Sequence, residues 1–191
     1  MLKVYPDYYD NFTCISSRCK HNCCIGWEID IDSKTLSNYQ RVKGEFGSRL
    51  IKNIKRKKVA RFKLKPNGRC PFLNENNLCD IIINLGQDSL CQICTDHPRF
   101  RNFFTDRVEI GLGLCCEEVC RIVLTKKEKS LLLYDGQRND DKIFTMRNAV
   151  IDILQDRTLS ITQRVDKALT FCNNDLDYSL KNYIDLLLRL E

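Results

Sequence analysis

The chain has 191 residues, 43% of them hydrophobic and 29% charged, with a formal net charge of +6. That is an ordinary globular balance with enough residues to bury a core. No stretch approaches the roughly 18 apolar residues of a membrane helix, so no membrane partner is expected. The basic excess suits an acidic partner, but a net charge of this size gives no ground for expecting nucleic acid.

At the N-terminus, Met1-Leu2-Lys3-Val4-Tyr5-Pro6-Asp7 holds no apolar run that would serve as an export signal. A reducing, cytoplasmic setting is therefore expected, in which the twelve cysteines are thiols or metal ligands rather than disulfides. Trp27 to Asp32 alternates apolar and acidic residues, the period of a half-exposed strand. Asp32-Ser33-Lys34-Thr35 offers capping residues for a helix through Leu36 to Val42. From Lys52 to Lys65, eight of fourteen residues are Lys or Arg, and Val59 to Leu64 alternates as a second strand. This run is a solvated basic face or a docking surface for an acidic protein or a nucleotide phosphate.

Pro66-Asn67-Gly68 marks a turn. Beyond it come cysteines 70, 79, 91, 94, 115, 116 and 120. Arg107 to Leu114 reads as a strand leading into Cys115-Cys116, and from Glu117 a helix carries Val119, Ile122 and Val123 on one face. Gly111 and Gly113 lack the third glycine of a cofactor-binding turn. From Thr125 the segments Phe144 to Leu154, Ile161 to Phe171 and Tyr178 to Leu190 have helical spacing, with Asp175 and Asp177 at the start of the third. Two domains are expected: residues 1–124, a cysteine-cluster domain, and residues 125–191, a helical extension or bundle. The fold class is expected to be mainly α with a few short β-strands, centred on a metal or iron–sulfur site.

Eleven of the twelve cysteines fall between Cys14 and Cys120. A closed thiolate site takes four soft donors. Cys91-Gln92-Ile93-Cys94 is a pair that one tight turn brings to one metal, and Cys70, Cys79, Cys115-Cys116 and the run Cys14-x4-Cys19-x3-Cys23-Cys24 surround it. The irregular gaps and doublets favour an iron–sulfur cluster, with zinc as the alternative, in one centre or two. Successive side chains point apart, so one member of each doublet is expected to bind while the other packs or serves another site. His97, three residues beyond Cys94, is a ligand or a neighbour of the ligands.

Cys19-Lys20-His21-Asn22-Cys23-Cys24-Ile25-Gly26-Trp27-Glu28-Ile29-Asp30-Ile31-Asp32 resembles the opening signature of flagellin lysine-N-methylases, within a broader group of cysteine-cluster proteins with a C-x2-C-x2-C-C motif. The likeness continues through Cys70-Pro71-Phe72-Leu73, Leu78-Cys79-Asp80-Ile81, Leu90-Cys91-x2-Cys94, His97-Pro98-Arg99 and Leu114-Cys115-Cys116-Glu117-Glu118. The first two gaps here are four and three residues instead of two, and His97 stands where a tyrosine is common. The resemblance implies metal ligands Cys19, Cys23, Cys24, Cys70, Cys79, Cys91, Cys94 and Cys116, with Cys115 and Cys120 as extras. It implies a [4Fe-4S] cluster and methyl transfer from S-adenosylmethionine to lysine side chains of flagellin, this chain matching the N-terminal half of such an enzyme. The alternative is a non-catalytic iron–sulfur or zinc-binding module. Trp27, Phe72 and His97-Pro98-Arg99 are expected to wall the cofactor pocket, and the planar fork of Arg99 suits the cofactor's carboxylate.

Overall fold

The computed structural model describes residues 1–56 and 58–174. In chain order the strands are β1 (Leu2–Pro6), β2 (Asp30–Ile31), β3 (Ile54–Lys55), β4 (Ala60–Phe62), β5 (Arg99–Phe103), β6 (Arg107–Leu112) and β7 (Leu132–Asp135). The helices are α1 (Ser33–Arg41), α2 (Gly44–Lys52), α3 (Asp80–Leu85), α4 (Gln92–Asp96), α5 (Glu117–Thr125), α6 (Lys142–Leu154) and α7 (Ile161–Asn174). Two compact units result. The cysteine unit comprises residues 11–100 and 112–124; the sheet unit joins residues 1–10, 101–111 and, among the described residues, 125–174. The junctions fall at 10/11, 100/101, 111/112 and 124/125.

In the sheet unit, the strand order is β5-β6-β1-β7. β1 runs parallel to β6, with Leu2 opposite Arg107, and antiparallel to β7, with Val4 opposite Tyr134. Leu2, Val4, Phe104 and Phe144 are buried. Asp141 caps α6 by accepting the backbone N–H groups of Ile143 and Phe144.

In the cysteine unit, β2, β4 and β3 form an antiparallel sheet with β4 in the middle. Its alternation is real: Ile29, Ile31, Ile54 and Phe62 turn into a core with Tyr39, Leu50, Phe72, Leu73 and Ile81. Phe62 meets Phe72 edge-on at 5.0 Å between ring centroids, a favoured aromatic geometry. Gly47 lies where α2 crosses the end of α1. A Cβ there would meet the carbonyl oxygen of Val42 at 2.0 Å, a backbone atom that cannot turn aside. Gly47→Ala is therefore expected to lower stability by about 1–3 kcal/mol, against the usual gain for alanine in a helix; urea unfolding measures it.

The expectation of a mainly α fold built around a metal is corrected. The fold is mixed α and β with two sheets, and the centre of the cysteine unit is an apolar core in which some of the thiols take part. The missed strands give weak local signals. β1 and β7 are short, and β5, Arg-Phe-Arg-Asn-Phe, is mostly exposed; pairing makes them strands, not propensity. The segment from Thr125 is likewise not wholly helical, since β7 interrupts it. The expected strand from Trp27 shrinks to Asp30–Ile31, while α1, α5, α6 and α7 lie where the periodicity put them. The expected third helix, Tyr178 to Leu190, lies outside the described residues.

Candidate functional site

All twelve cysteines are free thiols. Five of them, Cys24, Cys70, Cys79, Cys91 and Cys94, belong to the core of the cysteine unit, with Cys70 and Cys91 fully in it. Backbone pairing explains the gathering. Gly26 N–H donates to the carbonyl oxygen of Gly68 at 3.0 Å, and Cys70 N–H donates to that of Cys24 at 2.8 Å. This sets the two cysteines side by side. Gly68 has φ +75°, and a Cβ on it would lie 3.4 Å from Gly26 N, so the crossing suits glycine. Leu73 then bridges Cys79, and Asp80 N–H donates to Phe72 O at 2.8 Å, which brings in the third thiol. Cys91 and Cys94 flank the first turn of α4 with their sulfurs 3.3 Å apart.

Three side chains hold these loops. Asp32 caps α1 by accepting Thr35 N–H at 2.9 Å, and its other oxygen accepts Gln92 N–H, the first of α4, at 3.0 Å. One carboxylate thus anchors both β2 and the Cys91–Cys94 turn. Burial pushes the Asp32 carboxyl up, but the donors from Gln92 and Thr35 outweigh it and hold it below the ordinary carboxylate value. Its contribution is therefore present above the ordinary range and lost as pH falls through the lowered value. Asp32→Ala is expected to cost about 1–2 kcal/mol at neutral pH, and the deficit should shrink in acid when unfolding is followed as a function of pH. Arg49 donates to Pro71 O at 2.9 Å, pairs with Asp80 at 2.6 Å and lies over Phe72 at 5.2 Å, joining the Cys70 loop to α3. Tyr39 O–H donates to Ser89 O at 2.8 Å.

The sulfurs of this inner group also face backbone donors: Phe72 and Leu73 N–H toward Cys70, Ile81 and Ile82 toward Cys79, and Cys94 toward Cys91. Such donors favour a thiolate. Burial opposes them, pushing Cys70 up to about 11 and raising Cys79. Within the pair at α4, the hydrogen bond between the two sulfurs lowers Cys91 and raises Cys94. Cys24 is raised first by its hydrogen bond to Cys23, then by burial and by Cys23, Cys70 and Cys79, and Cys94 first by Cys91, then by burial, Cys24 and Cys70.

A second group gathers Cys14, Cys19, Cys23 and Cys116. Burial raises Cys19 to about 11, and Glu117, Cys116, Cys14 and Cys23 add to the rise. Cys116 is raised by burial, while Val119 and Glu118 N–H face its sulfur. The Cys24 hydrogen bond, followed by the facing His97, lowers Cys23, which links the two groups. Glu117 Oε2 accepts Lys20 N–H at 2.8 Å and His21 N–H at 2.9 Å, tying the first cysteine loop to α5. In Glu117→Ala, hydrogen exchange at Lys20 and His21 should speed up by about tenfold with little change in global stability.

The eight predicted ligands therefore fall into two neighbouring groups, five inner and three outer, with Cys14 beside the latter. Among the described residues, no set of three or more His, Cys, Asp or Glu is arranged to hold a metal ion as it stands. Cys120 donates its thiol proton to Leu114 O at 2.9 Å, and Cys115 is exposed. Trp27 lies 5.8 Å from His97 between ring centroids, and its indole N–H donates to Cys23 O. His97 Nε2 is buried without a hydrogen-bond partner among the described residues. Arg99 lies over Phe12 at 5.1 Å. Phe72 is corrected from pocket wall to core, with none of its surface exposed. Arg49 and Glu117 went unrecognised as loop anchors, because no local pattern distinguishes them from other surface charges.

The site defines a cysteine-rich α/β protein with thiols gathered from separate loops. Among curated proteins, the chain is similar to the lysine-N-methylases of Salmonella choleraesuis and Salmonella typhimurium, at 28% identity over 138 aligned residues and 66% of this chain. It is equally similar, at 28% identity, to flagellar biosynthetic protein FliU of Salmonella muenchen, of which it covers 79%. The chain is thus a relative of the lysine-N-methylases, though it spans only 33% of their length. The broader cysteine-motif group has no counterpart in these comparisons. No protein-family model matches the chain, and no solved structure matches it. No described helix is long and apolar enough to cross a membrane.

Proposed function

We propose that this chain is the cysteine-rich part of a cytoplasmic protein-lysine N-methyltransferase that takes its methyl group from S-adenosylmethionine, acts on flagellin, and holds a [4Fe-4S] cluster. The observation that carries the reading is the gathering of Cys24, Cys70, Cys79, Cys91 and Cys94 in one core, with backbone N–H groups facing three of the sulfurs. The donor chemistry fits a soft, sulfur-ligated group. Burial alone would keep these thiols neutral, and a bound cationic centre is what would make them thiolates. Cys91 and Cys94, with their sulfurs 3.3 Å apart, would have to separate to bind two irons of one cluster, and less widely to share a single zinc ion. The group would supply ordering of the pocket and, in the iron–sulfur form, redox capacity.

The chain's own residues would shape the methyl-donor pocket. Trp27 and His97 form one aromatic wall, and Arg99 is the candidate for the donor's carboxylate, which its planar fork matches. The acceptor lysine, with an ordinary pKa of about 10.4, must lose its proton and its water before it attacks a methyl group. S-adenosylmethionine should stabilise the metal-loaded protein by mass action and change the emission of Trp27, the chain's only tryptophan. Arg99→Ala should weaken that binding by about tenfold or more, as loss of a charged hydrogen bond does. Absence of binding to loaded protein would favour the second reading, a non-catalytic iron–sulfur or zinc module.

A further inference from the structure

Between Phe46 and Asn74 the sequence contains ten Lys or Arg residues and no Asp or Glu. The structure separates the cations that have work within the fold from those that do not. Arg49 is committed to Asp80 and Pro71, Arg61 to Glu28 and Asp30, and Arg69 to Asn74 and Asn77. Lys52, Lys55, Arg56, Lys58 and Lys65 are exposed and form no ion pair among the described residues. Four of them, Lys52, Lys55, Arg56 and Lys58, lie within or beside β3. β3 is the edge of its sheet, in the order β2-β4-β3, and the acids Glu28 and Asp30 lie on the far side, where both pair with Arg61. Lys63 N–H donates to Asn53 O at 2.8 Å and its Nζ to Lys52 O, so the chain leaving β4 returns beside Lys52, and Lys65 N–H donates to Arg69 O away from this margin.

We propose that this β3 margin is a docking surface for an acidic polypeptide segment. Lysine on a sheet edge also discourages edge-to-edge association, but one or two charges suffice for that. Four cations without an ion pair among the described residues, and no acid in the segment, create a field that selects a partner of opposite sign. The patch lacks what other polyanions need. Phe62 and Phe72 are buried and no aromatic of the segment is exposed, so there is no platform for unpaired bases to stack on. Val59, 42% exposed at the turn between β3 and β4, is too little apolar surface to enter a bilayer. A polypeptide needs neither: its carboxylates meet the lysines and an apolar side chain meets Val59. The inference is independent of the methyl-transfer reading.

The test is fluorescence anisotropy of a labelled Glu-rich peptide carrying a few leucines, titrated with the full chain. Lys55→Glu/Lys58→Glu should weaken binding by about tenfold or more, and Lys34→Glu/Arg41→Glu, the same charge change on exposed positions of α1, by less than about threefold. Raising salt from about 0.05 M to about 0.3 M should abolish most of the binding. Equal weakening by both double variants would reduce the effect to net charge and overturn the proposal. So would tighter binding of a single-stranded or duplex oligonucleotide of equal charge, binding only to anionic vesicles, or no binding by the unaltered chain.

Discussion

Arg107→Met is expected to cost the sheet unit about 3–5 kcal/mol, the usual penalty for leaving buried partners without their counter-charge. The Arg107 side chain has no exposed surface. Its guanidinium donates to Asp140 at 2.8 Å, to Asn139 O at 2.7 Å and to Asp106 at 3.0 Å. It also lies 3.7 Å from the ring centroid of Phe144, which meets Phe104 edge-on. Methionine fills much of the volume but satisfies none of those acceptors, and Asp140, with 7% of its side chain exposed, keeps only Arg138 and Asn148. The double variant Arg107→Met/Asp140→Leu should recover a substantial part of the loss, because neither charge is then stranded. Urea unfolding of the three proteins gives the comparison.

The same network sets an acid limit. Burial pushes the Asp140 carboxyl up, but Arg107 and Arg138 outweigh it and hold it below its ordinary value of 3.8. A lowered carboxyl contributes stability that is complete above the ordinary value and is lost as pH falls through the lowered one. Unaltered protein should therefore lose stability in the sheet unit below about pH 4, and the double variant should lose less over that range. An equal acid loss in both would place the sensitivity elsewhere.

The second large effect concerns the inner thiols. Cys94→Ala should remove most of the bound metal and lower stability by at least about 3 kcal/mol, because binding free energy at such a site is folding free energy. If Cys94 only packed as a small hydrophobe, the same change would cost about 1 kcal/mol. Cys172→Ala, in α7 of the other unit, should leave metal content unchanged. Metal analysis and thermal unfolding of the two variants side by side separate these cases.

What could be read in advance followed local chemistry. Asp32 as a cap, the helices expected from Glu117, Phe144 and Ile161, and the alternation of Ile29, Ile31 and Phe62 are short-range signals, and the structure carries them. The ligand candidates were legible because cysteine is rare and its spacing is distinctive. Long-range pairing was not legible. Nothing in Leu2–Pro6 shows that it lies parallel to Arg107–Leu112 and antiparallel to Leu132–Asp135, so the mixed sheet was missed and the helical share overweighted. Nor does spacing show that Cys24 lies beside Cys70, which the Gly26–Gly68 crossing decides. Arg107, in a strand read only as a route to Cys115, gives no sign that it is the most buried charge of its unit.

The claim at the centre of this account is that the gathered thiols hold a metal-containing group. Anaerobic purification of the full chain, followed by determination of iron, acid-labile sulfide and zinc per protein, tests it directly. Iron and sulfide in equal amounts in a brown protein, both lost in Cys94→Ala and retained in Cys172→Ala, is the predicted result; colourless protein containing zinc would replace the cluster with the zinc alternative. Folded protein that contains neither iron nor zinc, and is as stable after Cys94→Ala as before, would contradict the claim.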